Sequence, residues 1–174
     1  MTKKEIENIR IRKRWSFSYW DIFERYFFII FPLGFVFVGL AEIKSGFTND
    51  KIELKFLGFI TLILGILASL FVSIRLYENQ IFKEYEIDEL NNEKIESALK
   101  NCGFENYNYN KNGYYEVITN VSWFSWGETI TLIPIEKKIL INSKPNGTKF
   151  KPQPITIFKD KKNIKRLINE LRKK

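Results

Sequence analysis

The sequence predicts an α+β protein built in two parts: a two-helix transmembrane hairpin, then a cytoplasmic domain of a mostly antiparallel sheet with two packed helices. Three observations predict it. Tyr26 to Ala41 (YFFIIFPLGFVFVGLA) and Phe56 to Ile74 (FLGFITLILGILASLFVSI) contain no charged residue. After Arg75 the apolar residues fall into short β-branched and aromatic runs separated by turn signals. Two later stretches, near residues 92–102 and 160–171, carry apolar residues at helical spacing.

A helix rises about 1.5 Å per residue, so roughly 20 apolar residues cross a hydrocarbon core of about 30 Å. The second run meets that length. The first meets it when Ile22, Phe23 and Ile43 are included and Arg25 and Glu42 snorkel, giving spans of about 24–43 and 56–74 with a polar connector at 42–55. A cleaved signal peptide is the competing reading of the first run, with VGLA before Glu42 imitating a cleavage site. Its leading segment would be some 25 residues long and rich in aromatics, and a second span follows at once. The domain order is therefore a basic N-terminal segment (1–25), the hairpin (26–74) and a soluble α+β domain (75–174).

In the first segment Thr2 and Glu5 form a weak capping-box signal, while Ile9 and Ile11 alternate with Arg10 and Arg12 as in a strand, which leaves its type open. Ser18 and Asp21 read as a better cap for a helix whose Tyr19, Trp20, Phe23 and Tyr26 suit the headgroup layer. Within the spans Gly65 and Ser69 form a small-xxx-small pair, which packs either the hairpin itself or a homo-oligomer.

In the soluble part, NQIFKEYEID reads as a strand. Asn91 or Asn92 caps a helix with Ile95, Ala98, Leu99 and Cys102 on one face and Gly103 at its end. FENYNYN, YYEVITNVS, ETITLIPI and ILINS follow as strands, KPNGTKFKPQP as a loop and ITIF as a last short strand. Asp160 caps a final helix that stacks Ile164, Leu167, Ile168 and Leu171.

The net charge of +8 is unevenly spread. Residues 1–25 hold seven Lys/Arg against four acids and residues 136–174 thirteen against three, whereas residues 75–135 hold five against ten. Arg10, Arg12, Lys13, Arg14 and Arg25 outnumber the three lysines of the connector, so both termini are expected in the cytoplasm. The single cysteine, Cys102, forms no internal disulfide and fits a reducing compartment.

The aromatic run VSWFSWGET (121–129) stands out in this polar half. Counting strand directions from the membrane places the turn Trp123–Gly127 at the membrane-proximal end, together with the basic loop. The same count starts the last helix far from the membrane and returns Arg172, Lys173 and Lys174 towards it. Trp123, Phe124, Trp126, Lys144, Lys149 and Lys151 are thus candidates for contact with the membrane interface, anionic lipid headgroups or a protein partner. The competing reading folds the rings into the core. Alternation puts Trp123 on the face of Tyr115, Val117, Thr119 and Val121, with Gly127 permitting a bulge or a positive φ.

The succession SWFSWGETITLI, KILINS and KDKKNIKRLI resembles the soluble part of small two-span bacterial membrane proteins. The resemblance covers residues 115–171, and its specific feature is the Trp-Phe-Ser-Trp-Gly-Glu run. It implies a bacterial inner-membrane location. That group carries no established activity, so no functional residue transfers.

Histidine is absent, which removes the Ser-His and Cys-His nucleophile pairs and the commonest metal ligand. No Gly-rich phosphate loop is present, neither uncharged run holds an ionisable group for a transport path, and Glu116 and Glu128 read as solvated strand-end carboxylates. The chain reads as non-enzymatic and without a cofactor: a membrane-anchored interaction domain. A membrane-tethered nucleic-acid-binding domain, suggested by the basic tail and the aromatic run, and an accessory subunit of a membrane complex are the alternatives.

Overall fold

The computed structural model describes residues 1–119, 127–146 and 159–173. The fold is a mixed helical and antiparallel-sheet one with two long apolar helices in its N-terminal half. The chain divides into two compact units: residues 1–16 with 78–174, and residues 17–77.

In the first unit, helix α1 (Lys3–Arg12) precedes a five-stranded antiparallel sheet. The sheet consists of β1 (Lys83–Glu86), β2 (Tyr107–Asn110), β3 (Tyr114–Ile118), β4 (Glu128–Ile135) and β5 (Lys138–Pro145), in the order β1-β5-β4-β3-β2. Helix α5 (Asn92–Asn101) lies between β1 and β2 in sequence, and α6 (Lys159–Arg172) follows β5. Asn91 caps α5 by accepting a hydrogen bond from Lys94 N at 2.7 Å, and Gly103 follows at φ +71°. The expected strand ITIF lies outside the described residues.

The central strands β4 and β5 are buried on both faces, which is why ITLI and ILI read as continuous apolar runs rather than alternating ones. One face packs Tyr115, Val117, Ile130, Leu132, Ile139 and Ile141 beneath α5 and α6, with Ile95, Leu99, Cys102, Leu167 and Leu171. The other packs Phe82, Tyr114, Ile133 and Leu140 beneath Ile6 and Ile9 of α1.

The N-terminal residues are therefore part of the domain core. The Thr2–Glu5 capping box is formed in full and outweighs the strand-like alternation of Ile9 to Arg12. Ile6 and Ile9, one turn apart, turn inwards while Ile11 stays exposed. Cleavage after Ala41 would strip this helix from the sheet, a further reason against the signal-peptide reading.

The second unit is an antiparallel helix pair. Helix α2 (Tyr19–Tyr26) starts at the Ser18–Asp21 capping box and runs through a 3₁₀ turn (Phe27–Ile29) into α3 (Ile30–Thr48). Helix α4 spans Ile52–Glu78. The expected polar connector 42–55 is mostly helical: the turn is only Asn49 to Lys51, and Thr48 and Asn49 side chains donate to the carbonyls of Lys44 and Ser45 at 3.0 and 2.9 Å. Both α2–α3 and α4 are long and apolar enough to cross a membrane.

The pair packs on a heptad repeat of small residues. The positions buried at that spacing are Pro32, Gly39 and Gly46 on α3, and Gly58, Gly65 and Val72 on α4, where Arg75 and Leu76 are buried too. A Cβ on Gly39 would lie 2.6 Å from Leu62 N, one on Gly58 2.7 Å from Ile43 N, and one on Gly65 2.7 Å from Val36 N. Backbone meets backbone here, so no side chain can give way.

Gly39→Ala or Gly58→Ala should each cost about 1–3 kcal/mol by forcing the helices apart. Gly34→Ala, with nothing within 4 Å of its Cβ position, should leave stability unchanged or slightly higher. Thermal unfolding of the three variants in detergent checks this, and equal losses at all three would remove the packing argument.

Candidate functional site

The two points where the chain leaves the first unit and returns to it are fastened together. Arg14 and Ile81 form an isolated antiparallel bridge, with Trp15 N donating to Gln80 O at 3.1 Å and Phe82 N to Lys13 O at 2.8 Å. Beneath this bridge lies Asn142 of β5, which is 1% exposed. Its Oδ1 accepts from Trp15 Nε1 at 2.8 Å, and its Nδ2 donates to the carbonyls of Asn79 and Ile81 at 3.1 and 2.8 Å. The Trp15 ring packs against Phe82 at 5.1 Å and carries Lys144 Nζ on its face at 4.1 Å. Alternation along β5 makes this possible, since Leu140, Asn142 and Lys144 share the face that α1 covers.

At the same place Lys13, in the left-handed region at φ 52°, ends α1 and reaches Glu84 at 2.5 Å, while Lys138 reaches Glu84 at 2.6 Å. The hydrogen bonds from Lys13 and then Lys138 hold the Glu84 carboxyl well below its ordinary range, at about 2.

The register fixes which end of the sheet carries this junction. β1 begins there at Lys83, opposite Ile141, so the end of β5 near Pro145, the start of β4 and the end of β3 lie at the junction end. Thr119 and Gly127, which flank residues 120–126, are thus at that end, where Thr119 N donates to Glu128 O at 2.8 Å. Gly127 sits at φ +85°, where a Cβ would fall 2.4 Å from Thr119 O, so the position admits only glycine. Asn146, just before the basic loop, donates its N–H to Gly127 O at 2.9 Å.

On the opposite face of the sheet Glu128 corrects the sequence reading. It is fully buried rather than solvated, and its Oε2 accepts from Ser143 Oγ and from Asn163 Nδ2, each at 3.2 Å. The carboxylate ties β4, β5 and α6 together. Burial of a strand-end glutamate had no signal in the sequence, because the covering residue comes from a helix 35 positions later. Asn163 also lines a cleft of about 340 Å³ with Phe104, Glu105, Asn106, Ile118 and Thr119.

The Glu128–Asn163 contact also reverses the expected course of the last helix. α6 starts at the junction end and finishes at the far end, where Leu171 and Arg172 line a cleft with Glu86, Ile87 and Asp88.

Of the residues singled out by sequence, Lys144 lies at the junction on Trp15, Gly65 sits against Val36 inside the helix pair, and Ser69 Oγ donates to Gly65 O of its own helix at 2.7 Å. Trp123, Phe124, Trp126, Lys149 and Lys151 lie outside the described residues. Trp15 and Asn142 were not singled out: a tryptophan before a span reads as an interfacial ring, and a lone asparagine in an apolar strand is the only hint of a buried polar role. Among the described residues no group of three or more His, Cys, Asp or Glu is placed to hold a metal. No family model, curated protein or solved structure matches the chain.

Replacing Asn142 by Ala removes a partner from the Trp15 indole and the Ile81 carbonyl at once, and should cost about 3 kcal/mol in a denaturant or thermal melt. A loss under 0.5 kcal/mol, on the order of a surface change, would show the junction to be held by other contacts.

Glu84 carries a pH signature. Its carboxyl is depressed on folding, so its stabilising effect is present above the unfolded carboxylate range near pH 4.5 and is lost as pH falls towards 2. The stability difference between the natural chain and Glu84→Gln should shrink over that interval, and a difference independent of pH would contradict the pairing.

Proposed function

We propose that this is an integral membrane protein whose two apolar helices cross the bilayer as a hairpin and whose α+β domain stays on the cytoplasmic side as a non-catalytic interaction module against the inner leaflet. The observation that carries the reading is the junction. Residues 13–15 and 80–82 belong to one hydrogen-bonded bridge, so the chain leaves and re-enters the domain at one point. Any membrane path between them has an even number of crossings.

Exposed rings and aliphatic chains such as Phe31, Phe35, Phe37, Leu64 and Leu67 support lipid as the solvent of the helix pair, since an apolar surface of this extent is not left in water. The excess of Lys and Arg before the first span supports the cytoplasmic side for both termini. The aromatic stretch 123–126 and Lys149 and Lys151 are flanked by residues of the junction end, which is the part of the domain nearest along the chain to the spans. Contact with anionic headgroups or with a protein partner there is the interaction we assign to the domain. The absence of histidine supports a role without chemistry.

Asp50→Cys, in the turn between the spans, and Lys111→Cys, in the β2–β3 turn, test this in intact cells. A membrane-impermeant thiol reagent should label the first directly and the second only after permeabilisation. The reverse result would overturn the orientation, and equal labelling of both would overturn the hairpin.

A further inference from the structure

The helix register shows where the hydrocarbon should end on the domain side. Gly46 stands opposite Lys55, Ile43 opposite Gly58 and Val36 opposite Gly65. Continued by one heptad, this antiparallel register brings Ile29 level with Val72, and three positions further on Tyr26 level with Arg75. The uncharged run of α4 ends at Ile74, so α2 falls beyond it. The 19 residues of α3 make about 28 Å of helix without Tyr19 to Tyr26.

Helix α2 is also set apart by its own structure. The Ser18–Asp21 capping box starts it, with Ser18 N donating to Asp21 Oδ2 at 3.0 Å, and the 3₁₀ turn Phe27–Ile29 separates it from α3. Trp20, Phe23 and Phe27 recur on one side, with Trp20 stacked on Phe23 at 5.6 Å and Phe23 followed by Phe27 at 6.0 Å. These rings lean on one another and on little else, Trp20 being 69% and Phe23 55% exposed. Asp21 and Glu24 occupy the intervening positions.

Resting on the spanning reading above, we propose that α2 is an interfacial helix: Tyr19, Trp20, Phe23 and Phe27 lie among the lipid headgroups and upper acyl chains of the leaflet beside the domain, outside the hydrocarbon that α3 and α4 cross. Amphipathic rings suit that layer because the ring faces are apolar while the indole N–H and phenol O–H still reach water and phosphate. An aromatic face towards lipid and a polar face towards water is the arrangement of an interfacial helix, and the charge of this one is mixed, Asp21 and Glu24 with Arg25. The occupant is the bilayer itself, since the stripe is continuous with the apolar surface of α3 through Phe27 and Phe31.

The test uses the full chain in lipid nanodiscs with one spin label at a time, at Trp20→Cys, Phe23→Cys, Phe35→Cys, Ile63→Cys and Lys111→Cys. The natural chain controls for Cys102, whose thiol is buried. Collision with oxygen, which concentrates in lipid, is compared with collision with a water-soluble nickel chelate. Labels at 35 and 63 should read as hydrocarbon, the label at 111 as water, and those at 20 and 23 as intermediate, at headgroup depth. Labels at 20 and 23 that match 35 and 63 would make α2 part of the span, and labels that match 111 would put it in water; either overturns the proposal. If positions 35 and 63 themselves read as water, the spanning reading fails and takes the inference with it, a result distinguishable because it appears at those two positions.

Discussion

One buried amide organises the first unit. Asn142 is the only polar side chain on its face of β5 between Leu140 and Lys144, and its three hydrogen bonds reach residues 15, 79 and 81. A buried asparagine is tolerable only when its partners are in place, because leaving it unsatisfied costs more than the bonds themselves contribute. The same requirement makes it selective: the domain closes only when the segments before and after residues 17–77 meet over β5. Trp15 completes the arrangement, its indole N–H on the amide and its ring between Phe82 and Lys144. The helix pair eases this closure from its own side, since a long insertion whose backbone zips along Gly39, Gly46, Gly58 and Gly65 brings its ends together without the entropy cost of an open loop.

The sequence made the larger elements legible and the joins between them obscure. Hydropathy alone marks both long helices, and β-branched runs mark β3, β4 and β5, because these signals are local. Gly65 is visible as a small residue in a span. Its true partner set is a heptad repeat that includes Pro32 and Val72, and this becomes evident only when the register of two helices is known. The docking of α1 was hidden for a similar reason. Ile6 and Ile9 bury against Phe82, Tyr114, Ile133 and Leu140, residues more than 70 positions away, and the nearer pattern of Ile9 to Arg12 imitated a strand. Glu128 was misread because strand-end carboxylates face water unless a distant element covers them, and here Asn163 does.

Charge was the least transferable part of the reading. The basic ends of the chain form one pool in the composition but are divided in the fold. Lys13 and Lys138 converge on Glu84, Lys144 lies on an aromatic ring, and Arg172 stands at the far end of the sheet among Glu86, Asp88 and Glu89. Surface ion pairs of this kind contribute little each, but they determine which cations remain for a negatively charged partner. The anionic-surface contact proposed above would therefore draw on fewer cations than the 28 Lys and Arg of the sequence.

The order of synthesis gives the junction a further consequence. α1 is made before the surface that buries Ile6 and Ile9, which comes only after α4, so this helix waits with two isoleucines exposed until Phe82, β3, β4 and β5 exist. Burying two such side chains is worth roughly 3–6 kcal/mol. That free energy is available only if the N-terminal segment and the sheet are on the same side of whatever the intervening helices cross. A chain with its N-terminus and its sheet on opposite sides would lack α1 over the sheet, leave Asn142 without Trp15 and expose Phe82 and Leu140. The interlocked core thus requires one side for both segments without choosing which, and the choice of side in the proposed orientation rests on the charge bias before the first apolar helix alone.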